Sequence, residues 1–153
     1  MPDKNRKGYT NIDVTQKIHG GPGSLGFYYS FIIPGSLDMP PYVFVRNFIV
    51  VDPEVILATD KYATTKANTD FVWDRKYTGD NDIYWGRGVW WRNGEMSKSF
   101  KVEKCLDVIV NEGVTFIDDQ VKHNSKNPFM LYLALTGPHT PWMPDDKYKS
   151  STE

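Results

Sequence analysis

The segment LTGPHTPWMP, residues 135–144, sets His139 between Pro138 and Pro141. Each proline locks its own φ, so this histidine sits in a stiff stretch of chain. A fixed imidazole suits a general acid or an oxyanion donor. The alternative is a histidine in a rigid surface turn, capped by Thr140. A second group of candidates is Lys17-Ile18-His19. In extended chain, residues i and i+2 point to the same side. Lys17 and His19 would then offer an ammonium and an imidazole to one space, a pair suited to sulfate or phosphate. The alternative is two unrelated surface residues beside the Gly20-Gly21 turn.

Other titratable residues read as structural. His123 stands at a helix end, where a cation suits the dipole. The carboxylates at 52–54, 80–82, 118–119 and 145–146 lack the glycine and distal glutamate of a calcium loop, which makes them solvated surface. Cys105 lies among apolar residues and reads as a buried thiol, not a nucleophile.

The elements that must position these groups belong to a chain of 153 residues with 40% hydrophobic and 24% charged content. That is one domain's length and ordinary globular composition. A formal charge of −1 gives no reason to expect nucleic acid or an anionic membrane as partner. The apolar runs fall well short of the roughly 18 residues that span a bilayer. The N-terminus MPDKNRKGYT has no apolar h-region, so no signal peptide is visible and the compartment stays unassigned. The single cysteine excludes an internal disulfide.

TNIDVTQ (10–16) alternates as a half-buried strand. FYYSFII (27–33) favours extended structure, and PGSLDMPP (34–41) is a loop. YVFV and FIVV flank Arg46-Asn47 as a hairpin. From about 52 to 98 no period persists, and Trp73, Trp85, Trp90 and Trp91 crowd an irregular excursion best explained by packing. Residues 99–123 carry an apolar stripe through Val102, Leu106, Ile109, Gly113 and Phe116 at helical spacing. Ser99 is the expected N-cap and Asn124 the expected left-handed stop. PFMLYLAL (128–135) is a nearly continuous apolar run, suited to a central strand buried on both faces. Helix followed by buried strand predicts an α/β layered fold with a partly parallel sheet. Ligands of such sheets gather beyond the carboxyl ends of strands. Both His139 and His19 lie just past such predicted ends.

Three of these stretches resemble a known family. QKIHGG, GFYYSFIIPGSLDMPPYVFV and PFMLYLALTGPHTPWMP, in that order, look like the middle of a sulfatase catalytic domain, of the formylglycine-dependent arylsulfatases. The likeness runs from about Gly8 to Ser151. The last segment matches the family pattern closely. The first departs from it, with Gln16, Ile18 and Gly20 where glycine, tryptophan and leucine are usual, and Tyr28 stands where aspartate is frequent. The Lys-x-His pair itself is kept. The resemblance implies an alkaline-phosphatase-like α/β/α sandwich with a mixed, mostly parallel sheet, incomplete in this chain. It implies that residues 1–153 form an internal part of one catalytic domain. It implies sulfate contacts from Lys17, His19 and His139, with His139 a general acid for the leaving oxygen. The partner implied is a sulfate-ester small molecule or sulfated carbohydrate.

Family members also use formylglycine and calcium. The formylglycine precursor, Cys/Ser-x-Pro/Ala-x-Arg, has no counterpart here, and Cys105 is followed by Leu-Asp-Val-Ile. The expected aspartate and Asp-Asn calcium ligands lie outside the matched region. Lysine and imidazoles can neutralise sulfuryl oxygens and protonate a leaving group but supply no nucleophile, so the chain alone is expected to be inactive. Alternatives are a catalytically dead remnant that binds anions or acts as a scaffold, and a phosphomonoesterase of the same superfamily. An incomplete sheet also predicts self-association through open strand edges.

Overall fold

The computed structural model describes residues 12–62, 94–124, 126–139 and 145–148. Most of the aromatic-rich excursion, including its four tryptophans, lies outside them, as do the Asp80–Asp82 carboxylates, Thr140 and Pro141. The described residues form a mixed α/β unit with two small sheets and one long helix. The first sheet joins β1 (Phe31–Ile32), β2 (Val45–Arg46) and β3 (Ile49–Val50). The second pairs β4 (Val55–Leu57) with β5 (Glu95–Ser97). A short helix α1 (Ala58–Lys61) follows β4, and α2 spans Cys105–His123.

The β2–β3 hairpin forms where the alternation predicted it. Its turn needs a left-handed residue, and Asn47, which tolerates that conformation, sits there at φ 55°. The Asn47 side chain accepts from the Ser30 N–H (2.9 Å), while its own N–H donates to Ser30 O (2.7 Å). This sews the turn to the start of β1.

The expected mostly parallel sheet is not found among the described residues. Every strand pair there is antiparallel, and the one parallel contact is an isolated bridge between Tyr42 and Met96. The reason lies in 128–135, the intended parallel strand, which pairs with no strand among the described residues. Within the predicted strand 10–16, residues 12–16 form no strand. The Asp13 carboxylate accepts from the Thr15 N–H (3.1 Å) and hydroxyl (2.6 Å), bending the chain into a turn that buries Val14 and exposes Ile12. The irregular excursion is shorter than expected, because β4, α1 and β5 occupy its flanks.

Helix α2 forms on its apolar stripe, but its ends differ from expectation. A 3-10 turn over Val102–Lys104 leads into it. Ser99 is no cap: the turn starts behind Lys101, with no side-chain cap, and the Ser99 N–H donates to Asp52 Oδ2 (2.9 Å). Asn124 ends the helix at φ −133°, not left-handed. One buried cluster gathers Leu37, Tyr42, Tyr62, Met96, Phe100, Cys105 and Ile109, joining loop, β5 and helix. A second, of Val14, Val43, Val45 and Val50, lies under the hairpin. Arg46 ties hairpin to helix, donating to Glu112 Oε1 from Nε (2.9 Å) and Nη2 (2.7 Å), and Tyr29 donates to the same carboxylate.

Candidate functional site

His139 is held by two turns that rest on the start of α2. The first is its own: the His139 N–H donates to Thr136 O (2.9 Å), and the Thr136 side chain hydrogen-bonds Cys105. The second is the loop between β1 and β2. There Leu37 is buried against the helix, and the Met39 N–H donates to Ser36 O (3.3 Å). A β-carbon at Gly35 would lie 2.6 Å from Met39 O, so only glycine allows this tight return. The loop aims Asp38 at the imidazole. Its carboxylate is 5% exposed, lies 3.8 Å from His139 Nε2, and accepts the Ser36 hydroxyl. The imidazole itself is half exposed, at 49%. A buried carboxylate beside a solvent-facing imidazole can orient the ring toward an incoming anion.

Lys17 and His19 lie elsewhere. The Ile18 N–H donates to Phe48 O (2.8 Å), and Lys17 Nζ sits 4.9 Å from the Phe48 ring centroid. That places the segment at the Asn47–Phe48 turn, whereas Asp38 and His139 lie off the opposite end of the β1–β2 pair. Lys17 and His19 are both exposed. No hydrogen bond, ion pair or ring contact joins either of them to His139 among the described residues.

Cys105 is fully buried, and burial pushes its thiol up to about 12. It therefore stays protonated, as expected of an inert core thiol. It does not fit the precursor of an oxidised nucleophile. His123 lies in the last turn of α2, as its reading required. Among the described residues no three His, Cys, Asp or Glu side chains gather to hold a metal. Asp145, read as solvated surface, is instead buried and accepts from Lys104 Nζ.

A separate groove of about 1060 Å³ runs between α2 and the strand region, lined by Tyr28, Tyr29, Phe116, Phe129, Tyr132 and Leu133 among others. None of Lys17, His19 and His139 lines it. The apolar run 128–135 forms one wall. Phe129 packs edge-on against Phe116 (5.6 Å), and Leu133 presses on Gly113, where an added β-carbon would lie 3.1 Å away. The sequence reading missed Asp38, Glu112 and Asp145. None of the three carried a local signal, because each meets its partner far away in sequence.

No protein-family model matches the chain. It is 32% identical over 146 aligned residues to an N-acetylgalactosamine-6-O-sulfatase of Bacteroides thetaiotaomicron. The match covers 89% of this chain but spans only 28% of the relative's length. The chain is thus similar to part of a sulfatase, spanning about a quarter of that relative's length.

Proposed function

We propose that this chain carries part of the sulfate-binding half of a sulfuric ester hydrolase. The observation that supports it most is the His139 turn. It follows the apolar run of the family pattern, offers a half-exposed imidazole, and backs that imidazole with a buried carboxylate. In this reading His139 meets the sulfate ester, as general acid toward the leaving oxygen. Lys17 and His19 add positive charge toward the sulfuryl oxygens. The substrate class is a sulfated carbohydrate or aryl sulfate, and the sugar sulfatase named among its relatives favours the former.

Formylglycine and calcium belong to the proposed parent activity, yet the described residues fit neither. Cys105 is buried and protonated, and no carboxylate cluster is present among them. No catalytic step therefore runs through either group here, and the chain alone is inactive. Self-association through the unpaired run 128–135 is part of the same proposal.

The separation of Lys17 and His19 from His139 favours a second reading, an inactive sulfatase-like scaffold. Two measurements distinguish the readings. A chromogenic aryl-sulfate assay with calcium should give no turnover from the pure chain; turnover abolished by His139→Ala would overturn the inactivity. Titration with inorganic sulfate should move the ring resonances of both His19 and His139 along one binding curve. If neither ring responds, the scaffold reading stands and the sulfate-binding one is lost.

A further inference from the structure

We infer that Asp38 is a positioning residue for His139. Its buried carboxylate, 3.8 Å from Nε2, biases the ring orientation through space and favours the tautomer with the proton on Nε2, so that the imidazole meets an anion in one defined state. The inference rests on the sulfate-contacting reading of His139 but makes its own claim about the free protein.

Two independent turns produce the pair. The loop turn is tied down by buried Leu37, the close approach at Gly35 and the Ser36 hydroxyl on Asp38 Oδ1. The histidine turn is tied down by Thr136, through its carbonyl and its side chain. Both anchor on the first two turns of α2, so the Asp38–His139 spacing is set by core packing and not by two flexible side chains. A carboxylate that is 5% exposed has lost most of its water, and such a group demands a compensating donor or charge. Ser36 supplies a hydroxyl. The imidazole, at 3.8 Å from the same oxygen, supplies the charge whenever it is protonated.

The other charged groups on the packed elements have partners of their own. Lys104 is paired with Asp145 and Asp107 with Lys147, and the Cys105 thiol stays neutral. Among the described residues, Asp38 is a carboxylate within ion-pair distance of the ring. A buried acid behind a histidine selects the tautomer and the orientation without itself reacting.

The test is nitrogen-resolved NMR of the His139 ring in the full chain. Ring ¹⁵N shifts of the neutral wild type should show the proton held on Nε2, with one ring orientation toward Leu37 and Asp38. Asp38→Asn should bring both tautomers into exchange, while the α2 amide resonances stay in place. Asp38 is buried, so that variant could fail to fold; Ser36→Ala keeps the carboxylate and should shift the ring the same way by less. Wild-type shifts matching free histidine would overturn the assignment, as would ring shifts unchanged in a folded Asp38→Asn. A sulfate titration then separates the two claims. Asp38→Asn should shift the sulfate binding curve read at His139, and with it the His19 response, to higher sulfate concentration. If sulfate moves no ring even in wild type, while the tautomer result holds, the pairing stands and only the sulfate reading fails.

Discussion

Two apolar stretches of similar make-up meet opposite fates in this molecule. Residues 42–50 enter a hairpin, bury Tyr42, Val43 and Val45 almost completely, and pair with β1 on the open side. Residues 128–135 are at least as apolar, yet no backbone hydrogen bond of theirs is found among the described residues. Every one of their side chains is exposed, Tyr132 to 78%. Their residual order is one-sided. Phe129, Leu131 and Leu133 lean toward α2, while Met130 and Tyr132 point away at nearly twice the exposure. Apolar content selects what a segment needs, but only neighbouring strands can supply it. The hairpin finds its neighbour within about fifteen residues of sequence. The run at 128–135 has a helix for one face and, among the described residues, no strand for either edge.

The largest way to break this comparison is amide exchange. Amides of β2, β3 and central α2 should exchange near the global unfolding rate, whereas those of 129–135 should exchange within about tenfold of an unstructured peptide. Strong protection of 129–135 in a proven monomer would show that the run is paired after all. Substitution sharpens the contrast next. Phe100→Ala, removing a fully buried ring, should cost about 3–5 kcal/mol. Met130→Ala should cost within about 0.5 kcal/mol, as for an exposed position. Denaturant melts of both variants at equal concentration check this, and a loss above about 2 kcal/mol at Met130 would mean that its face is buried. Met130→Lys should also lower any association seen by sedimentation, because a charged edge resists strand pairing.

The same contrast explains what the sequence could and could not reveal. The hairpin and α2 were legible because their partners are local: period-two alternation around Asn47, and a stripe from Val102 to Phe116. The pairing of β4 with β5 was not, since Val55 meets Ser97 forty-two positions further along the chain. The helix start was misplaced for a similar reason. Asp52, a distant residue, takes the Ser99 N–H and leaves the cap to a 3-10 turn. At the candidate site, His139 was legible from the run before it and the prolines around it. Asp38 was not, because nothing local says that LDMPP folds back on α2. The placement of Lys17 and His19 depended on reading 10–16 as a strand, and the Asp13 turn removed that premise.

The smallest expected effect concerns the segment just beyond the histidine turn. Asp145 is held below the usual carboxylate range chiefly by its hydrogen bond from Lys104. Asp107 is held down in the same way by Lys147, with Tyr148 adding a second donor. The two lysines are correspondingly raised, Lys104 by Asp145 and Lys147 by Asp107. A carboxylate depressed by folding stabilises above its unfolded value, near pH 4, and that stabilisation is lost as pH falls through the folded value. A raised lysine contributes fully below its unfolded value, near pH 10, and loses that contribution as pH rises through the folded value. The 145–148 turn should therefore stay docked on α2 across neutral pH and loosen first in acid. The Lys147 and Tyr148 amide resonances should move toward unstructured values below about pH 4 while those of β2 and β3 remain in place, and added salt should bring this loosening to higher pH. A turn that instead unfolds together with the hairpin would mean that the charged contacts merely decorate a surface already fixed by packing, and the molecule would hold one stability class where this comparison requires two.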